Sequence, residues 1–192
     1  MKNLTKFVVG LAVGAFTMTA CGQSWKKVDF DTFVDKAVEA IENGADKQPC
    51  NISLKMVANG ETSKMEIKNL DDSTKTEFYM DGEKLDLESE EGAMTFFMAA
   101  MIIEGSSLSA FGTIAEDSEE FEYYVSGKKL KCTMNMDSEE SKGKASYIWN
   151  EYGWLTNAEV DGKQRTSEIA EWQDIKETIT ISYSDIKTIE LE

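Results

Sequence analysis

The sequence predicts an α+β domain whose curved antiparallel sheet, of about ten strands, forms a half-barrel. Turn dipeptides such as Asn59-Gly60 and Asp81-Gly82 separate runs of alternating apolar and polar residues, a pattern typical of two-residue hairpins. Segments 29–43 and 92–104 are predicted to be helices. Since ten twisted antiparallel strands tend to curl, we expect an open half-barrel whose concave face is covered by these helices.

The first twenty-one residues have the layout of a secretory signal peptide. Lys2 and Lys6 form a positive head, and small residues lead from an apolar run, Phe7–Phe16, to Cys21. The apolar run is too short to span a bilayer as a helix. We therefore expect residues 1–20 to be removed.

Residues 17–21, Thr-Met-Thr-Ala-Cys, resemble the lipobox of bacterial lipoproteins, with Met18 where that pattern usually has Leu. The resemblance implies cleavage before Cys21, which then carries acyl chains such as palmitate on its thiol and new amino group. Residues 21–28 are then a short tether and 29–192 a single domain. The expected location is the outer face of the cell membrane or the outer membrane. An ordinary signal peptide with an incidental Cys21 is the alternative.

Charge and composition exclude several functions. The leader holds two of the 20 basic residues and none of the 36 acidic ones, so residues 21–192 carry a net charge of −18. Such a surface repels nucleic acid and anionic headgroups. The chain has no histidine, which excludes Ser-His-Asp and Cys-His catalysis and His-ligated zinc. We predict no enzyme activity, no cofactor, no metal site and no nucleic-acid partner.

The elements follow in order along the chain. The first helix has apolar residues at helical spacing, and Gly44 suits its C-terminal cap. A linker runs from the second helix to about residue 118. The apolar positions of the first helix are Phe30, Phe33, Val34, Ala37, Val38 and Ile41. Strands are predicted near 51–58, 61–69, 74–80, 83–88, 120–126, 128–136, 144–150, 154–160, 163–170 and 177–184.

Closing the chain at each turn dipeptide predicts which residues pair across the hairpins. A sheet with one buried face requires apolar residues to lie opposite apolar ones. Ser126-Gly127 and Asp161-Gly162 are predicted turns as well, the latter between strands 154–160 and 163–170. The predicted pairs are Leu54–Met65, Ile52–Ile67, Phe78–Leu85, Tyr123–Leu130 and Phe121–Cys132.

The second helix is apolar on every side, because residues 93–103 read AMTFFMAAMII. One interpretation is a lid or plug that shares the concave face with a lipid or acyl chain, and the other is a permanent core helix. Methionine adapts to irregular apolar partners, which favours a Met-rich binding face. The candidate apolar ligand-binding residues are Met94, Phe97, Met98, Met101, Met56, Met134 and Met136.

Behind an apparent lipobox, this order of elements resembles the lipoprotein-carrier fold of LolA and LolB and the LppX-like lipoproteins. The resemblance implies a curved sheet, covered by helices, around an apolar cavity, and it carries over no functional residue. We therefore expect a non-enzymatic envelope lipoprotein that binds a lipid-like ligand or a lipidated partner. The alternative is an interaction or sensor module that binds a basic protein through its acidic surface.

Three features have more than one interpretation. Cys50 and Cys132 should both point inward, either as a disulfide or as two buried thiols. Trp25 belongs either in the headgroup region of a membrane or under the first helix. A rim of carboxylates is solvated, able to hold calcium, or able to supply an acid/base pair. The rim comprises Glu116, Asp117, Glu119, Glu120, Asp137, Glu139 and Glu140.

Overall fold

The computed structural model describes residues 24–111, 120–165 and 171–190. The predicted signal peptide and Cys21 lie outside these residues, and so do Glu116, Asp117 and Glu119 of the carboxylate rim.

The described strands form one open antiparallel sheet, which confirms the predicted α+β class and curved sheet. The strands are β1 (Lys26–Val28), β2 (Lys47–Ala58), β3 (Glu61–Lys68), β4 (Glu77–Met80), β5 (Glu83–Leu85), β6 (Phe121–Ser126), β7 (Lys129–Asp137), β8 (Ser141–Trp149), β9 (Leu155–Gln164) and β10 (Gln173–Thr188). Their order is β1-β6-β7-β8-β9-β10-β2-β3-β4-β5. The last strand, β10, therefore joins the two halves of the chain by pairing with β2.

The two hairpins that close β2 to β3 and β4 to β5 have the predicted register. At Asn59-Gly60 and Asp81-Gly82 all four residues have positive φ, as a type I′ turn requires. The confirmed pairs are Leu54–Met65, Ile52–Ile67 and Phe78–Leu85.

The register predicted for the β6–β7 hairpin is wrong by two residues. Tyr123 pairs with Cys132 instead of Leu130, and Phe121 pairs with Met134. The cause is the turn, which is centred one residue later than expected, so that Ser126 still belongs to the strand. A shift of two residues keeps each side chain on its predicted face.

The predicted turn at Asp161-Gly162 is also wrong, because β9 runs through it to Gln164. A Cβ on Gly162 would lie 2.3 Å from the carbonyl oxygen of Lys142 on β8. This glycine therefore permits a close approach of two strands and does not mark a reversal of the chain.

The tenth strand is β1, which lies in the segment 21–28 that the sequence assigned to the tether.

Three described helices accompany the sheet: α1 (Phe30–Gly44), α2 (Glu90–Gly105) and α3 (Leu108–Phe111). The first two confirm the predicted helices, whereas α3 lies in the predicted linker. Asp29 caps α1 by accepting a hydrogen bond of 2.7 Å from the Thr32 amide. Gly44 is not a left-handed cap. It is the last residue of the helix, and a Cβ added at this position would lie 2.3 Å from the Tyr152 carbonyl oxygen.

The core lies between the helices and one face of the sheet, the apolar face, which carries Ile52, Leu54 and Met56. Phe33 and Ala40 of α1 pack into this core. The ring centroids of Phe33 and Tyr123 are 4.7 Å apart. The opposite side of the sheet is the polar face. This alternation follows from the two-residue period of strands.

Candidate functional site

An open groove of about 730 Å³ lies where the apolar face of the sheet meets the end of α2. The start of β2 and the end of β10 form one wall, and α2 and α3 form the other. The volume falls within the range of small-molecule pockets, about 300–1,000 Å³. The larger apolar residues that line the groove are Ile52, Leu70, Ile103, Trp154, Tyr183 and Ile189.

The aromatic wall of the groove is built by Trp154 and Tyr183, whose ring centroids are 5.0 Å apart. Tyr183 lies directly across from Ile52 in the β10–β2 pairing. Its hydroxyl donates a hydrogen bond of 2.9 Å to the carbonyl oxygen of Leu155, so the ring can face the groove with its polar atom satisfied. Burial raises the pKa of Tyr183, which keeps this hydroxyl protonated.

Polar groups lie at the edge of the groove, and three of them, Lys47, Ser107 and Ser109, have hydrogen-bond partners there. The Lys47 ammonium donates hydrogen bonds to Asp46 Oδ2 at 2.8 Å and to Thr188 Oγ1 at 3.0 Å. On the opposite wall the hydroxyl oxygens of Ser107 and Ser109 are 3.0 Å apart. An apolar wall with a polar edge suits an amphipathic molecule that leaves its polar end near solvent.

The predicted binding residues on α2 do not line this groove. Met94, Phe97 and Met101 are 54%, 57% and 50% exposed and lie on the side of α2 away from the sheet. Met98 is half-buried. These four residues are therefore not part of the groove, and their role in ligand binding stays a prediction. The reason for their position is that the opposite side of α2, which comprises Gly92, Thr95, Ala99 and Ile102, is the buried one, and Ala99 and Ile102 belong to the core.

The three predicted methionines of the sheet do lie on its apolar face, but the groove does not reach them. Met56 is fully buried in the core. Met134 and Met136 are half-buried on β7. None of the three lines the groove.

The sequence did contain a signal for part of the true lining. Ile179, Ile181 and Tyr183 alternate along the last strand, so Tyr183 shares the parity of the core residues. For Trp154 the parity was ambiguous, because Leu155 beside it is also apolar. Nothing local shows that Ile103 of α2 and Tyr183 of β10 line the same groove.

Cys50 and Cys132 are both free thiols and both buried, so the disulfide interpretation is not what the structure contains. Strands β8, β9 and β10 separate the strands that carry them. A disulfide requires its two Cα atoms to lie within about 7 Å of each other. Adjacent strands are already about 4.8 Å apart, so two cysteines with three strands between them are too far apart to bond. Burial raises the pKa of Cys132 to about 12.

Cys50 has ionisable neighbours, but they do not activate it. Burial and a hydrogen bond with Asp71 both raise the pKa of its thiol. Lys187 pairs with Asp71 and holds the pKa of that carboxyl below its usual range. A nucleophilic cysteine needs the opposite environment, one that favours the thiolate.

The described part of the carboxylate rim is solvated. Asp137 is exposed and pairs with Lys142 at 3.1 Å. The backbone carbonyl of Glu139, and not its carboxylate, accepts a hydrogen bond from Arg165. Among the described residues no group of three or more acidic, cysteine or histidine side chains is arranged to hold a metal.

Trp25 does not pack under α1. Its ring lies beside Lys131 of β7, whose ammonium is 6.0 Å from the ring centroid and 5.5 Å from that of Tyr124. Lys131 alternates with the buried Leu130 and Cys132 and so belongs to the polar face. The start of the described chain therefore lies against the polar face.

Compared with known proteins, the chain matches no family model and no curated sequence. Within the described ranges, no helix has the length and apolar character needed to cross a membrane.

Proposed function

We propose that the protein is a non-enzymatic lipoprotein of the cell envelope that holds an acyl chain or a similar lipid-like molecule in the groove. The observation that carries this proposal is the apolar lining of the groove, with Ile103 on one side and Trp154 and Tyr183 on the other, beside a polar edge. An acyl chain gains about 0.8 kcal/mol for each methylene that it buries, so even a partly open groove of this volume can retain one. The curved sheet would present its apolar face as the concave one.

Membrane attachment through lipid on Cys21 is the second part of the proposal, and the lipobox-like residues 17–21 support it. Two or three acyl chains, at about 0.8 kcal/mol per buried methylene, make attachment stable where one chain is marginal. The wild-type protein should fractionate with membranes and partition into detergent, and Cys21→Ser should lose both properties. Wild-type protein that stays in the aqueous phase with an unmodified Cys21, by mass spectrometry, would contradict this part.

The ligand is tested by native mass spectrometry and lipid extraction of the purified protein, followed by titration with a fluorescent fatty-acid analogue. We expect a co-purified lipid or saturable uptake of the analogue at one site per molecule. A protein that carries no lipid and takes up no analogue overturns the proposed binding function.

Two isoleucines near the end of the chain provide a matched pair of variants. Ile189 lines the groove and is 38% exposed, whereas Ile186 lies outside the groove and is 39% exposed. Ile189→Glu places a carboxylate on the apolar wall and should weaken uptake about tenfold or more, because a charge resists transfer into an apolar site. Ile186→Glu changes the net charge equally and should leave uptake unchanged. Equal effects of the two variants would place the ligand elsewhere.

A further inference from the structure

Charge is divided between the two sides of the molecule, although the chain as a whole is strongly acidic. Strand alternation places many of the lysines on the polar face, where they alternate with the buried residues. On the helix side acidic side chains predominate: residues 29–46 and 86–111 contain eleven carboxylates and one basic residue. The lysines of the polar face are Lys27, Lys55, Lys64, Lys68, Lys84, Lys129, Lys131, Lys142, Lys144, Lys163 and Lys176.

The acidic side also carries the most exposed apolar side chains of the described residues. Met94, Phe97 and Met101 follow one another at i, i+3 and i+7 along α2, and each is at least half exposed. We call these three residues the outer stripe. In an α-helix this spacing places them on one side, as a continuous row.

Carboxylates stand at both ends of the outer stripe. Glu90 precedes Met94 by four residues and Glu104 follows Met101 by three, so both continue the same row, and both are exposed. At 1.5 Å per residue, they are about 21 Å apart along the helix axis. The surface is therefore apolar in its middle and negative at its two ends.

We propose that the outer stripe binds a basic amphipathic helix of another protein, with apolar residues in its middle and lysine or arginine near both ends. Charge complementarity selects this occupant. A second copy of the chain is disfavoured, because an antiparallel pair would bring Glu90 of one copy against Glu104 of the other. An anionic bilayer is disfavoured by the same carboxylates. Methionine and phenylalanine adapt to such helices without a preformed pocket.

The test uses the purified protein, as the cell processes it, and a synthetic helical peptide of about 18 residues with a leucine face and lysines near both ends. Its control is a peptide of the same composition in scrambled order. Fluorescence anisotropy should show saturable binding of the helical peptide only. Binding should weaken with salt, since the charges at the interface are exposed.

Three variants locate the contact. Phe97→Ser should weaken peptide binding about tenfold or more, as expected for a central aromatic contact. Glu90→Lys should also weaken it and should reduce the salt dependence. Val38→Ser is the control, because Val38 on α1 is also exposed, at 49%, and lies outside the stripe. All three replace exposed side chains, so the fold should persist by circular dichroism.

Equal binding of the scrambled peptide, or unchanged binding in Phe97→Ser, overturns the proposal. Two other results would identify a different occupant and would also overturn the proposal. One is a dimer in sedimentation experiments that Phe97→Ser abolishes. The other is adsorption to anionic vesicles that Phe97→Ser abolishes. Uptake of the fatty-acid analogue should be unaffected by Phe97→Ser. The stripe and the groove can therefore fail independently.

Discussion

The indole Nε1 of Trp149 donates a hydrogen bond of 2.9 Å to the carbonyl oxygen of Ser106. Trp149 is fully buried on β8, and Ser106 follows the last residue of α2. The bond fixes the end of α2 against the sheet, next to Ser107 at the edge of the groove. It connects two parts of the chain 43 residues apart.

Trp149→Phe should therefore destabilise the protein by about 2–4 kcal/mol. The variant removes the hydrogen bond, leaves the Ser106 carbonyl without this donor and opens a cavity beside Phe33. Urea unfolding measures the change, with Trp25→Phe as a control that should cost much less because Trp25 is only half-buried. Equal losses in the two variants would show that the bond does not stabilise the fold.

Two helix-end glycines should respond to alanine with opposite signs. In Gly44→Ala the new Cβ meets the Tyr152 carbonyl, a backbone atom that cannot rotate away, so we expect a loss of about 1–3 kcal/mol. In Gly105→Ala no atom lies within 4 Å of the new Cβ, and the lower entropy of the unfolded chain should give a gain of up to about 1 kcal/mol. Thermal unfolding of the two variants checks the signs. If Gly44→Ala unfolds like wild type, α1 does not contact Tyr152 this closely.

Glu159→Gln should stabilise the protein at neutral pH by about 1 kcal/mol, the lower end of the penalty for burying a polar group. Glu159 is 8% exposed, and burial raises its pKa despite Lys131 and Lys176 nearby. A raised pKa means that the folded state holds its proton to higher pH than the unfolded state does. Wild type therefore loses stability, relative to the variant, as pH rises from the unfolded pKa of about 4.3 to the raised folded pKa.

The measurement for Glu159 is urea unfolding of both proteins between pH 4 and pH 8. Their difference in unfolding free energy should be smallest at the low end of this range and should grow with pH until the pH exceeds the raised pKa of the folded protein. A difference that shrinks with rising pH would contradict the raised pKa. Glu90→Gln, at an exposed position, serves as the control.

Thiol counting with a chromogenic disulfide reagent tests the cysteines and the anchor together. With a pKa of about 12, Cys132 is thiolate in on the order of one molecule in ten thousand at pH 8, so this thiol should react very slowly in the native protein. After denaturation, two thiols should react if Cys21 carries a thioether-linked lipid, and three if it is free. A Cys50–Cys132 disulfide would remove both of their thiols from the count.

Local chemistry was enough to predict the parts of the fold that depend on adjacent residues. Asn59-Gly60 and Asp81-Gly82 adopt the positive φ that a type I′ turn requires, and they set the register of the strands on either side. The same reasoning failed at Asp161-Gly162. There the glycine permits a close approach to Lys142 on another strand. No local rule distinguishes a glycine of this kind from one that forms a turn.

The sequence by itself determined the fold class, the two long helices and the alternation of apolar and polar faces in the sheet. The reason is that the periods of helices and strands can be recognised from residues close together in the sequence. Only the tertiary structure decided which side of α2 faces inward. Its apolar residues surround the helix, and the side that carries Thr95, Ala99 and Ile102 is buried, which leaves Met94 and Phe97 outside. The groove depended on tertiary structure as well. Its walls come from segments distant in sequence, which meet because β10 pairs with β2, and pairing between distant strands is chosen by the packing of the whole core.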